Sequence, residues 1–438
     1  MAYRSFDDVS FDRRALLRGG ALLGGGALVA GVPLQTLLAR TPAASWPAVT
    51  ALVAEYVAAR KVANMVATLG WGQAPPQTIA RGTLAIGQAA PAGPDSLYRI
   101  YSMTKPITGM AAMILIDEGK LGLDQPIAEI LPAFAKIRVL RNPKGAIADT
   151  VPAERPITVR HLLTHTAGLG YGIVQNGPID TFFQEQGLTP GQVSRLPLPG
   201  LGRGMPVRGL AAFADKLATA PLVHQPGTKW SYSVGLDLLG RVIEVAAKQP
   251  FDRFLQERIF EPSGMRSTWF RVPGGEVARL TTNYGILNGT AVPIDPARAS
   301  VYLDEPAFPF GGAGLVSSPR DYDRFLMMLA GLGAIGGKRV MSERAVRLGT
   351  SNLLPAGVST ANTFAAGSGF GAGGRSNDGN YGWGGAAGTV AFVNIGTGLR
   401  GNLMTQYMPS EAYPIHSAFP AAVLKDLAAM APAKKVAA

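Results

Sequence analysis

Ser102-Met103-Thr104-Lys105 opens the stretch that decides how this chain reads. Behind it runs Pro106-Ile107-Thr108-Gly109-Met110-Ala111-Ala112-Met113-Ile114-Leu115-Ile116, without a charge until Asp117. It is the only Ser-x-x-Lys in the 438 residues. The spacing alone is common on surface helices, but a surface helix mixes polar and apolar residues. This run does not, so it predicts a buried helix with Lys105 at its start and a strand, Ser96–Ile100, ahead of it. A serine and a lysine three apart share one helix face. A helix start also leaves backbone N–H groups unpaired at the positive end of the dipole. A nucleophile, a group to activate it and a site for an oxyanion therefore fall within one turn. An unpaired ammonium is costly to bury, and burial of a lysine favours the neutral, basic form.

The composition excludes several other chemistries. There is no cysteine, so disulfides, thiolate catalysis, cysteine-based metal sites and a lipoprotein anchor are ruled out. Hydrophobic residues make up 47% of the chain, enough for a full core. The 55 glycines and 33 prolines are spread through apolar sequence and signal turns rather than disorder. The formal charge is +12; residues 1–44 carry five basic and three acidic side chains, so a chain starting near Ser45 keeps +10. That excess is scattered. Its densest group, Lys136, Arg138, Arg141 and Lys144, has no interleaved aromatics and is not a nucleic-acid stripe.

At the amino terminus, Asp12-Arg13-Arg14-Ala15-Leu16-Leu17-Arg18 precedes a Gly/Ala/Leu run from Gly19 to Leu34. Twin arginines before a mildly apolar stretch resemble a twin-arginine export signal. The expectation is export to a periplasm, cleavage between Ala30 and Ser45, and no stable membrane anchor once residues 1–44 are gone.

The mature chain begins with helical spacing at Val49, Leu52, Val53, Tyr56 and Val57. Two strand-like runs, 62–69 and 78–86, flank a Gly/Pro-rich turn. Strand patterns return at 381–394 and 399–407 around Ile395-Gly396-Thr397-Gly398, and a closing helix is expected over 418–429. The predicted fold class is α/β in the α+β sense. One antiparallel sheet flanked by helices comes from 45–120 and 307–438, and a mostly helical domain, 121–306, is inserted between them. A cleft between two such lobes is a natural ligand site. The long loops 172–209 and 272–310 are expected to line it.

Two further motifs fall at such a cleft. Trp230-Ser231-Tyr232-Ser233-Val234-Gly235 lies between a turn and a helix expected over 236–247. A phenol is a poor base at its ordinary pKa near ~10, but a neighbouring ammonium stabilises phenolate and makes general-base work feasible. The other reading of Tyr232 is a ring anchored in the core. Tyr381-Gly382-Trp383-Gly384-Gly385-Ala386-Ala387-Gly388-Thr389 places glycines inside a strand, a mark of close backbone or ligand approach.

In order and context, Ser-x-x-Lys, Tyr-Ser-x and Trp-Gly-Gly resemble the serine β-lactamase-related hydrolases: class C β-lactamases, DD-peptidases and family VIII carboxylesterases. Supporting stretches are 157–169, 260–265 and 311–320, and the resemblance spans roughly 46–430. It implies Ser102 as nucleophile, Lys105 and Tyr232 as its proton acceptors, and an oxyanion hole from the Ser102 and Ala386 amides. β-Lactamases and DD-peptidases of this group usually carry Tyr-x-Asn and Lys-Thr-Gly; here Val234 and Trp383-Gly384-Gly385 stand in those places, as in the esterase branch. Losing an amide and a cation while gaining an indole favours uncharged acyl or alkoxy groups. Val234, Trp383, Gly384 and Gly385 are thus the expected substrate-binding residues, and a small-molecule ester is the expected partner. A β-lactamase or DD-peptidase, an amidase or acyltransferase, and a non-catalytic binding domain remain as alternatives. No metal or organic cofactor is expected. His161 and His165 are four apart, but no glutamate lies between them and no third ligand is apparent. There is no Gly-x-Ser-x-Gly. Gly367–Gly374 lacks a phosphate-loop ending and reads as a turn or flexible loop. Nothing in the sequence sets the oligomeric state.

Overall fold

A computed structural model of the chain describes residues 45–189, 191–196 and 205–430. The expected export signal lies outside the described residues. One seven-stranded sheet organises the rest. Its strands are β1 (Asn64–Trp71), β2 (Gln77–Gly82), β3 (Gly369–Phe370), β4 (Arg375–Asn377), β5 (Asn380–Gly384), β6 (Val390–Asn394) and β7 (Leu399–Met404), in the order β3-β4-β5-β6-β7-β1-β2. Every pairing is antiparallel. β1 lies between β2 and β7, with Val66 opposite Met404 and Trp71 opposite Leu399, so the two ends of the chain close one sheet.

Period-two alternation decides what each face meets. On β1, Met65, Ala67 and Leu69 pack with Val49, Val53, Phe419 and Val423, from α1 (Pro47–Ala58) and the closing helix. Val66 turns to the opposite face and joins the main core. That core holds α2 (Thr104–Asp117), α3 (Gly235–Ala247) and α4 (Pro319–Ala330). The closing helix, α5 (Ile415–Met430), satisfies the start of α1 directly. The Asp426 carboxylate accepts the N–H groups of Ala48 at 2.8 Å and Val49 at 3.0 Å, two of the donors a helix start leaves open.

α2 is buried from Thr104 to Leu115, as its uncharged sequence requires. Gly109 lets the 371–374 turn lie against it: a Cβ there would stand 2.0 Å from the Ala372 carbonyl oxygen. The glycine-rich 367–374 stretch therefore forms β3 and the 371–374 turn into β4, and that turn is pressed against α2.

Two details differ from the sequence reading. The run expected as one strand over 381–394 is two, β5 and β6, broken at 385–389 because Gly385 is drawn onto Ile100; a Cβ there would sit 2.3 Å from the Ile100 carbonyl oxygen. The middle of the chain also contains a hairpin, Asn283–Leu287 with Thr290–Asp295, which pairs in parallel with Tyr407–Met408. Its turn is Asn288-Gly289, with φ of 50° and 78°, the dipeptide that best suits such a tight reversal.

The short strand Tyr98–Arg99, ahead of Ser102, carries one half of a buried ion pair. Arg99, fully buried, donates through Nε to Asp295 Oδ2 at 2.7 Å and through Nη2 to Ser300 Oγ at 3.0 Å, and bonds the Thr281 carbonyl. Removing the guanidinium leaves a buried carboxylate without its cation, a loss of roughly 3–5 kcal/mol. Arg99→Met is expected to lower unfolding stability by that amount in denaturant titration, and a loss under about 1 kcal/mol would contradict it.

Candidate active site

Ser102 stands at a junction rather than inside a helix. It occupies a single 3-10 turn, Tyr101–Met103, immediately ahead of α2. Tyr101 has φ of 42°, a left-handed backbone that costs a non-glycine residue on the order of 1–3 kcal/mol. Neighbours hold it there. Its ring lies edge-on to Tyr302 with centroids 6.3 Å apart, and its hydroxyl accepts from Asn283 Nδ2 at 3.2 Å. No feature of the sequence signalled this strained residue.

The structure brings Ser102, Lys105 and Tyr232 together. Ser102 Oγ is 3.2 Å from Lys105 Nζ and 2.8 Å from Tyr232 Oη, although Tyr232 lies 130 positions along the chain. Lys105 is buried, with 1% of its surface exposed. Its amine donates to the Gly312 carbonyl at 2.7 Å and rests over the Tyr232 ring, 4.6 Å from the centroid. No described carboxylate forms an ion pair with it.

The phenol is fixed by an aromatic cage. His165, Tyr171, Phe364 and Trp383 have ring centroids 4.6, 5.4, 5.4 and 5.8 Å from that of Tyr232. Trp383 Nε1 donates to Tyr232 Oη at 3.3 Å. The indole expected to shape a substrate pocket is thus 5% exposed and bonded to the phenol. Val234 is fully buried in the main core and presents no open surface. Gly384 and Gly385 lie at the end of β5, where Gly385 N–H donates to the Thr389 carbonyl at 2.7 Å. The turn after β5 carries Ala386 next to the residue pressed against Ile100, two positions before Ser102. Among the described residues neither the Ser102 nor the Ala386 amide N–H has a hydrogen-bond acceptor.

Two ionisable neighbours went unnoticed in the sequence. Asp237, in the first turn of α3, accepts the Gly312 N–H at 2.8 Å. Burial pushes its carboxyl up to about 6, against the opposing pull of the Lys105 charge and the Gly312 N–H. The Tyr171 hydroxyl is held well above its ordinary range, first by burial and then by Tyr232 and Asp237, so it stays a neutral phenol. Burial, then the Lys105 charge, holds His165 well below its usual value, so it is a neutral ring under Tyr232.

The two histidines spaced like metal ligands have separate partners. His161 Nδ1 accepts the Thr158 N–H at 3.2 Å in a capping box, and His165 Nδ1 accepts the Ser233 N–H at 3.2 Å. Among the described residues no group of three His, Asp or Glu side chains is placed to hold a metal ion. The segments expected as long loops carry a helix, Pro178–Glu185, and the 283–295 hairpin; Thr189, Gly191, Gln192, Met205, Val301 and Ala307 from them help wall a cavity of about 320 Å³ whose lining includes none of Ser102, Lys105 and Tyr232. Gly191 lies against Ala313, the residue after Gly312.

Comparison with known proteins gives a consistent picture. The Beta-lactamase family model matches residues 49–424. Protein Rv1367c of Mycobacterium tuberculosis is 39% identical over 269 residues, 61% of this chain and 62% of that protein. The chain thus spans less than two thirds of that relative. Esterase EstB of Burkholderia gladioli is 32% identical over 342 residues, 71% of this chain and 77% of the esterase. Among solved structures, EstCE1, described as a hydrolase with promiscuous acyltransferase activity, superposes with a TM-score of 0.67 at 25% identity, covering 89% of this chain and 100% of its own.

The buried His161 makes a testable contribution to stability. An unfolded histidine takes up its proton near ~6.5, whereas burial lowers this one to about 4. Between those values the unfolded state binds more protons. The contribution is complete above pH ~6.5 and is lost as pH falls toward about 4, by up to ~1.4 kcal/mol per pH unit. His161→Gln is expected to flatten that slope in urea titrations across the window; an unchanged slope would contradict it.

Proposed function

The chain belongs to the Beta-lactamase family, and on that premise we propose that it is an exported serine hydrolase that cleaves carboxylic esters through an acyl-enzyme on Ser102. The observation that carries the reading is the meeting of Lys105 Nζ and Tyr232 Oη at Ser102 Oγ, at 3.2 and 2.8 Å. A serine hydroxyl is a weak nucleophile until a base takes its proton. As Ser102 Oγ bonds to the ester carbonyl carbon, its proton passes to the Lys105–Tyr232 pair. The carbonyl oxygen gains the charge and is met by the Ser102 and Ala386 N–H groups. The C–O bond to the alcohol then breaks, and Tyr232 Oη returns the proton to the leaving alkoxide. Water repeats the sequence in reverse: it loses a proton to the same pair, attacks the acyl carbon and releases the acid and free Ser102. No step calls for a metal or an organic cofactor.

Ester rather than lactam turnover is supported by two residues. Val234 and Trp383 stand where lactam-cleaving members of the family usually present an asparagine and a lysine. Esterase EstB, similar over 71% of this chain, is named for the same activity. Acyl transfer to an alcohol is the second reading. It is favoured by the promiscuous acyltransferase activity ascribed to EstCE1 and by the burial of Lys105 and Tyr232, which limits water at the site. Export rests on the Arg13-Arg14 segment.

Turnover of a short-chain nitrophenyl ester, measured beside that of a chromogenic cephalosporin, tests the substrate class. The ester is expected to be strongly preferred and Ser102→Ala to abolish its turnover; preference for the lactam, or an active Ser102→Ala, would sink the reading. Trp383→Phe keeps a ring in the cage but removes the N–H on Tyr232. It is expected to lower kcat by roughly tenfold, the worth of one hydrogen bond of about 1–1.5 kcal/mol, with little change in KM. A kcat equal to that of the wild type would show the contact to be idle.

A further inference from the structure

We propose that Asp237 is a positioning residue for the reaction: acting through the Gly312 peptide, its carboxylate holds the amine of Lys105 on Ser102. This rests on the reading of Ser102 as the nucleophile. Three links make an unbroken line. Asp237 Oδ1 accepts the Gly312 N–H at 2.8 Å. The carbonyl of the same residue accepts Lys105 Nζ at 2.7 Å. That amine lies 3.2 Å from Ser102 Oγ. Among the described residues, the Gly312 carbonyl and Ser102 Oγ are the only hydrogen-bond partners of Lys105 Nζ. Without an anchor on Gly312, a flexible four-carbon side chain has only the serine hydroxyl and the Tyr232 ring to fix its direction.

The fit between Asp237 and Gly312 is close. A Cβ on Gly312 would lie 2.6 Å from Asp237 Oδ2, so only glycine lets that peptide settle onto the carboxylate. The arrangement is costly for a purely structural group. Asp237 is 1% exposed, and among the described residues its Oδ2 has no hydrogen-bond partner. A buried carboxylate with an open lone pair is disfavoured unless a cation offsets it. Each element packed around it supplies a defined neighbour. α2 brings Lys105, whose charge favours the ionised carboxylate. The 165–171 segment brings Tyr171 as a neutral phenol. The 311–314 loop carries no ionisable side chain. Among the described residues Lys105 is the cation acting on Asp237, and the carboxylate supplies it with counter-charge as well as aim.

The test compares Asp237→Asn with Asp237→Ala in the full chain, each checked for folding by circular dichroism. The asparagine oxygen can still accept the Gly312 N–H but carries no charge. Asp237→Asn is expected to keep kcat within several-fold of the wild type on a neutral nitrophenyl ester. Asp237→Ala loses both aim and charge, and kcat should fall roughly 10–100-fold with KM unchanged. Wild-type kcat in the alanine variant would overturn the proposal, as would losses in both variants that track only the folded fraction. If the alanine variant does not fold, Gly312→Ala decides, because its Cβ would stand 2.6 Å from Asp237 Oδ2 and push the peptide off the carboxylate: kcat should fall with KM unchanged, and a wild-type kcat would overturn the proposal. A wild-type protein inert toward esters would instead remove the functional reading. Crystal structures would then judge Asp237 alone: the contact between Lys105 Nζ and the Gly312 oxygen should survive in Asp237→Asn and open in Asp237→Ala, and an unmoved contact in the alanine variant would refute the role.

Discussion

Two short contacts at one oxygen organise this molecule. Ser102 Oγ can meet Lys105 Nζ and Tyr232 Oη at once only if the start of α2 and the loop before α3 face each other with little slack. Much of the nearby packing serves that condition. α2 is buried on all sides, so its first turn cannot drift. The rings of His165, Tyr171, Phe364 and Trp383 leave the Tyr232 phenol one direction to point. The turn after β5 is pulled against Ile100, two positions before Ser102.

Buried charge is distributed in the same spirit. Arg99–Asp295 and Arg400–Asp323 are ion pairs with both partners almost wholly enclosed, and each joins distant parts of the chain. The first has its arginine on the strand that leads to Ser102; the second ties β7 to α4. Lys105 differs from both, because no carboxylate touches it directly. Asp237 reaches it only through the Gly312 peptide. A direct ion pair would hold that amine more firmly in its charged form.

The sheet and its helical layers were legible because they follow from periodicity. Alternation on β1 and the uncharged length of α2 admit few other arrangements, and the antiparallel α/β architecture emerged as expected. Local interruptions were harder to read. Gly385 breaks a strand for the sake of a contact with Ile100, a residue 285 positions away, which a local pattern cannot register. The Asn288-Gly289 turn was readable in principle, since that dipeptide favours two successive left-handed residues. At the site, the three motif residues could be named from spacing and resemblance. The roles of Asp237 and Tyr101 could not, because each depends on a partner from another part of the chain. Val234 marks the opposite case, a motif position whose side chain belongs to the core.

Covalent chemistry at Ser102 is the claim on which the rest depends. A slowly hydrolysed ester, added to the intact protein and quenched within seconds, should raise the mass by one acyl group, and peptide mapping should place that group on Ser102. The adduct should vanish in Ser102→Ala and form far more slowly in Lys105→Met and Tyr232→Phe. An acyl group found elsewhere, or ester turnover at full rate with Ser102 never modified, would contradict the mechanism at its root.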